Sequence, residues 1–97
     1  MPIINVVRID SVFIQEDGFL ADERSGEVVI MNVERSEYFA MDPVASRIWR
    51  YFSTPRSVAE VCDVLCLYYE AQREDMERDV LPFLSVLLKN GIIRAIQ

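Results

Sequence analysis

Two thiols, seven serines and sixteen carboxylates are the groups in this 97-residue chain that could carry covalent or acid–base chemistry. Histidine, the commonest general base and zinc ligand, is absent. Ser11, Ser25, Ser36, Ser46, Ser53, Ser57 and Ser85 therefore have no imidazole to activate them. Cys62 and Cys66 stand four residues apart, a spacing that puts both on one face of a helix. Two thiols alone cannot complete a tetrahedral zinc site, and a disulfide within one helix is geometrically awkward. They read as reduced, buried small hydrophobes, in keeping with a cytoplasmic protein. Glycine occurs only at positions 18, 26 and 91, so no glycine-rich loop can cradle a phosphate. The carboxylates could pair for acid–base work, but most fall in turns or on helix faces, where solvation is the plainer role. The residue set predicts a protein that is not an enzyme and that takes no metal and no cofactor.

Charge narrows the partners. Ten basic residues face sixteen acids, a net of −6, with Lys89 the one lysine and the arginines scattered among acids. Neutralising a phosphate backbone needs clustered Lys and Arg, so nucleic acid is a poor partner. The longest unbroken apolar run, residues 64–69, is far too short to cross a membrane. The first ten residues carry Arg8 and Asp10 and have no signal-peptide core. These features predict a cytoplasmic chain with no membrane partner. At 52% hydrophobic and 97 residues it can close one core and not two, so residues 1–97 read as a single domain.

The first third has strand signals and the rest helix signals. A short apolar stretch at residues 12–14 precedes a turn at Asp17-Gly18. Residues 19–23 suit a strand, and Arg24-Ser25-Gly26 a hairpin turn. Val28, Val29, Ile30 and Met31 form a continuous apolar run that predicts a strand covered on both faces. After a polar turn at residues 32–36, Glu37, Tyr38, Phe39, Ala40 and Met41 make a third strand. Asp42 as N-cap and Pro43 at the first helical position then start a helix whose stripe is Val44, Ile48, Trp49 and Phe52. Ser57 with Glu60 is a capping-box pair opening a second helix, striped by Val58, Val61, Cys62, Leu65 and Tyr69. A third helix opens at Glu74 and Asp75, carries Val80, Phe83, Leu84, Leu87 and Leu88, and stops at Asn90-Gly91. Pro82 either kinks this helix, the reading its unbroken apolar spacing favours, or marks where regular helix begins. Residues 92–96 suit a short final strand. A three-stranded antiparallel meander followed by three helices is an α+β, winged helix-turn-helix-like order.

That order exposes an edge. The third strand of such a meander has one row of N–H and C=O groups unpaired, and a peptide adding as another strand is a common functional cover. Tyr38 and Phe39 must point to opposite faces, one toward the helices and one toward solvent or a ligand. The exposed ring is otherwise one that Trp49 or the amino terminus covers. On the third helix, Asp79, Phe83, Val86 and Asn90 run along a flank beside the core stripe. One acid among apolar groups suits the wall of a peptide groove, and equally an ordinary helix boundary.

The stretches Val29-Ile30-Met31-Asn32, Glu37-Tyr38-Phe39-Ala40-Met41-Asp42 and Ala45-Ser46-Arg47-Ile48-Trp49, followed by a closing run at residues 79–93, occur in an order that resembles the PqqD-like family, also called RiPP recognition elements. The resemblance covers most of the chain, from about Gly18 to Ile93. It implies a domain that binds the leader of a ribosomally made precursor peptide and presents its core to a separate modifying enzyme. It further implies a leader docked antiparallel to the third strand, in a groove closed by the third helix. Carried onto this chain, that puts the peptide on Glu37, Tyr38, Phe39, Ala40 and Met41 and on Asp79, Phe83 and Val86. Free-standing family members serve lasso-peptide synthesis, beside a leader protease and a macrolactam synthetase, or pyrroloquinoline quinone synthesis, beside a radical-SAM enzyme. Short acidic chains look more similar to the lasso members, whose leaders are expected to place a Tyr and a Pro in the groove. The rival of another class, a winged-helix DNA-binding regulator, would want a basic recognition helix. The third helix instead carries Glu74, Asp75, Glu77 and Asp79 against Arg73, Arg78 and Lys89.

Overall fold

Two antiparallel sheets and three helices are built from residues 7–96, those that the computed structural model describes. The meander forms as its turn chemistry dictates. Strands β2 (Phe19–Arg24) and β3 (Glu27–Asn32) are joined by Ser25 and Gly26, at φ 52° and 82°. Two successive positive φ values give the mirror-image turn that matches strand twist. Strand β4 (Glu37–Met41) returns after a loop in which the Asn32 side chain accepts from the Arg35 N–H at 3.2 Å. Ala21, Ile30 and Phe39 stand opposite one another and fix the register.

β3 is covered on one face only. Val28 and Ile30 are each 1% exposed, whereas Val29 and Met31 are half-buried on the outer side. This corrects the expectation of a strand covered on both faces: no element of the described chain packs over that side.

A second sheet, which the sequence only hinted at, ties together distant parts of the chain. Strand β1 (Val12–Gln15) lies between β5 (Arg56–Ser57) and β6 (Ile93–Ala95), in the order β5-β1-β6. β6 realises the expected terminal strand. β5 has two residues, too few for any periodicity to show.

The helices follow their caps. Helix α1 (Pro43–Tyr51) starts from Asp42, whose carboxylate accepts from the Ala45 N–H at 2.8 Å. Helix α2 (Val58–Tyr69) has both halves of the capping box, with Ser57 N–H donating to the Glu60 carboxylate at 2.9 Å and Glu60 N–H to the Ser57 hydroxyl at 3.1 Å. Hydrogen bonding to the carboxylate from Ser57, first from its backbone N–H and then from its side chain, holds the Glu60 carboxyl below its ordinary range. The carboxylate half of the cap therefore supports α2 above ordinary carboxylate pKa values, and that contribution is lost as pH falls through the lowered one. Helix α3 runs unbroken from Arg73 to Lys89 with Pro82 inside it, so regular helix does not begin at the proline. The α2 core stripe stops at Leu65; Tyr69, expected within it, is 38% exposed.

The core lies between the meander, the second sheet and the helices. Phe13, Ile30, Phe52, Leu65, Leu84, Leu87 and Ile93 are each at most 1% exposed. Ser46 is the one buried polar residue among those described, at 0% exposure. Its hydroxyl accepts from the Val28 N–H at 2.8 Å and donates to the Met41 carbonyl at 3.2 Å, joining the start of β3, the end of β4 and α1. Replacing Ser46 by Ala leaves a buried N–H without a partner, so a loss of about 1–3 kcal/mol is expected in a urea-unfolding measurement. A change under about 0.5 kcal/mol would show that the pair contributes little.

Candidate functional site

β4 is an edge strand: in the order β2-β3-β4 it pairs with β3 on one side, and no described strand lies on the other. Its residues alternate as a one-sided sheet requires. Met41 is 2% exposed and Phe39 packs against the core, while Tyr38 is 69% exposed and Ala40 also faces out. Tyr38 is thus the ring left toward solvent, and Trp49 does not cover it. Residues 1–6, the other cover considered, lie outside the described residues.

Two hollows bracket this edge, one lined by α3 and the other by Asn90 and Ile92, just after that helix ends. The larger, of about 260 Å³, lies between α1 and α3 past the end of β4. Val44, Ala45, Ile48, Met76, Val80 and Phe83 give it an apolar lining, with Tyr69 and the exposed carboxylates Asp42 and Asp79 at its rim. The smaller, of about 40 Å³, is made where Glu37, Tyr38 and Phe39 meet Asn90 and Ile92. Glu37 therefore belongs to the Asn90 end of α3, and the Met41–Asp42 end of the strand to Asp79. Strand and helix run in opposite directions along one trough. Ser46 fixes the end of β4 against α1, and the Asp42 cap fixes the first turn of α1.

The residues singled out in the sequence fall as follows. Glu37, Tyr38, Phe39, Ala40 and Met41 are β4, and Met41, being buried, can offer a ligand only its backbone. Asp79 and Phe83 line the larger hollow together, Phe83 half-buried. Val86 is 44% exposed and lies one turn along the same flank, between the two hollows and lining neither. Val44, Tyr69 and Met76 were not singled out as site residues, though the first two were visible as members of helical stripes. A stripe shows that a residue is apolar at the right spacing, not whether it meets the core or a hollow.

Chemically the site offers backbone hydrogen bonds, apolar walls and a few carboxylates. The two thiols lie elsewhere, in α2: Cys62 is buried, Cys66 half-buried, and burial pushes the Cys62 thiol up, against the opposing pull of the Arg73 charge. Among the described residues no three His, Cys, Asp or Glu side chains are grouped to hold a metal ion. No described helix is long and apolar enough to cross a membrane.

Known proteins give the same pattern of strand and helix. A search of curated protein sequences finds no match. Among solved structures, TbiB1 in complex with the TbiA(beta) leader peptide superposes with a TM-score of 0.77 at 27% identity, covering 87% of this chain and 98% of that one. Lasso peptide synthetase B1 complexed with the leader peptide superposes with a TM-score of 0.75 at 24% identity, over 84% of this chain and 96% of that one. The family model for coenzyme PQQ synthesis protein D matches residues 27–93, from the first residue of β3 to the first of β6, and so takes in β4, α1 and α3 together. With two thirds of the chain matched, including β4, α1 and α3, this chain belongs to the PqqD family.

Proposed function

We propose that this protein binds the leader segment of a ribosomally synthesised precursor peptide by strand addition along Glu37–Met41 and delivers it to a separate processing enzyme. The observation that carries the reading is the unpaired edge of β4 facing a trough walled by α3. An extended peptide there would complete the main-chain ladder, while the two hollows would take side chains. The superposition on TbiB1, solved with a leader peptide, supports it. The peptide-contacting set is Glu37, Tyr38, Phe39, Ala40, Met41, Asp79, Phe83 and Val86, joined by Val44, Tyr69 and Met76 around the larger hollow. The pathway is lasso-peptide synthesis, with a leader protease and macrolactam synthetase as the processing enzymes; its support is the resemblance of this short acidic chain to free-standing lasso members. The protein works without catalysis of its own, as one leader-binding domain over residues 1–97, in the cytoplasm.

Titration with fluorescently labelled leader segments of short precursor peptides, sought among the genes flanking this one, tests the reading. A dissociation constant of about 1 µM or tighter is expected, with a scrambled leader binding at least about tenfold more weakly. Labelled duplex DNA at physiological salt should show no sequence-dependent binding. No leader binding at about 100 µM would overturn the proposal, and a sub-micromolar DNA shift would favour the regulator instead.

A further inference from the structure

The outer side of α2 is apolar where a solvent-facing helix would be polar. Val64, Leu67 and Tyr68 stand three and four residues apart on one face and are 38%, 82% and 56% exposed. Tyr68 meets Tyr69 edge-on, with ring centroids 4.8 Å apart, and Tyr69 lines the larger hollow beside Val44. One exposed apolar strip therefore runs from the leader trough across the end of α2. Surface of this kind marks an interaction site.

A cation is set into the strip. Arg47 on α1 places its guanidinium carbon 3.7 Å from the centre of the Tyr68 ring. Stacking occupies the face of the guanidinium and leaves its in-plane N–H groups for an acceptor. The other arginines of the helices, Arg50, Arg73 and Arg78, are each paired with a carboxylate. Among the described residues Arg47 has no such partner. In a chain of net charge −6, an unneutralised arginine held flat against an aromatic ring is a place for a carboxylate from outside.

Strand polarity says which part of the peptide arrives there. β2, β3 and β4 pair antiparallel throughout, and a strand added to β4 in the same sense forms the better hydrogen bonds. Its amino-terminal end then lies at Met41 and its carboxy-terminal end at Glu37. Residues upstream of the paired stretch pass Asp42 and the larger hollow. Val44, on that hollow, and Arg47 are three residues apart on α1, a rise of about 4.5 Å. One or two extended peptide residues, at about 3.3 Å each, cross that distance.

We infer that the strip of Arg47, Tyr68, Leu67 and Val64 is a second contact site for the leader, taking residues that precede its strand-forming segment: a carboxylate on Arg47 and an apolar side chain against Tyr68 and Leu67. The inference rests on the leader-binding reading above. The site adds affinity without lengthening the ladder, and it selects leaders by sequence where main-chain bonds do not.

The test compares Arg47→Glu and Tyr68→Ala with Arg24→Glu, a control of equal charge change at the far end of β2. Thermal melts establish that each variant folds. The probes are labelled leader segments of short precursor peptides sought among the flanking genes, each with a series shortened from its amino terminus. The full-length leader should lose at least about tenfold in affinity for Arg47→Glu and Tyr68→Ala, and less than about twofold for Arg24→Glu. Once shortened past the upstream acid, the leader should bind the wild type and all three variants within about twofold of one another. Replacing that acid by Lys should weaken binding to the wild type and restore it to Arg47→Glu. Unchanged full-length affinity in both strip variants would overturn the second site. So would a loss that persists with the shortened leader, a leader with no acid in its upstream segment, or a wild-type dimer that Tyr68→Ala splits. In each of those cases the wild type still binds the leader and the first reading stands. A wild-type protein that binds neither form would overturn both readings.

Discussion

Replacing Phe83 by Ala should weaken leader binding by about thirtyfold or more, because truncating an aromatic anchor at the centre of a binding site commonly costs more than ~2 kcal/mol. Phe83 is the largest apolar side chain on the α3 wall of the trough, and it lines the larger hollow with Val80 and Asp79. Main-chain hydrogen bonds to β4 would survive the change, so the loss reports the pocket and not the ladder. The ring also packs against the core, so some stability goes with it, less than the ~3–5 kcal/mol of a fully buried Phe→Ala. Val44→Asp separates the two effects. Val44 is 44% exposed and lines the same hollow, so a carboxylate there should spare the fold while setting a third acid beside Asp42 and Asp79. Anisotropy titration of a labelled leader, with a denaturation curve for each variant, reads both quantities. Unchanged affinity in both variants would place the groove elsewhere. A Phe83→Ala chain that no longer folds would make that ring core.

The largest effect on stability is expected at Phe52. Its side chain is 0% exposed, and its ring meets that of Phe13 edge-on with centroids 6.1 Å apart. Its carbonyl accepts from the Gln15 N–H at 2.8 Å, so it joins the end of α1 to the second sheet. Phe52→Ala should cost about 3–5 kcal/mol, a third or more of what a domain of this size possesses. A melting temperature lower by roughly 20 °C is the corresponding signal in circular dichroism. A fall of only a few degrees would mean that the core closes over the space.

The meander and helices were legible because each has local punctuation: Ser25-Gly26 for the hairpin, Asp42-Pro43 for α1, Ser57 with Glu60 for α2, Asn90-Gly91 for the end of α3. The second sheet was not, since its pairings join Phe13 to Ala95 and Val12 to Ser57, and no local pattern encodes a partner so far along the chain. At the candidate site the alternation of Tyr38 and Phe39 was readable; which ring faces the core was not, because that depends on where the helices pack. Val28 to Met31 misled for a related reason. A continuous apolar run shows only that a strand carries apolar side chains on both faces, not that an element covers each of them. Tyr69 shows the reverse case, a residue at stripe spacing that ends up on the rim of a hollow.

The pairing of Val12–Gln15 with Ile93–Ala95 has a consequence for the order in which the molecule is made. The meander is a set of hairpins whose loops close over a few residues, and it can assemble while the rest of the chain is still emerging. The second sheet cannot be completed until Ile93 has been synthesised, and the β1–β6 pairing spans nearly the whole polypeptide. A nascent chain would then display the β4 edge, with its aromatic strand and unpaired amides, before α3 arrives to wall it. During that interval the edge is open to any extended segment nearby. The short length of β4, five residues, limits how long a foreign strand can grip it.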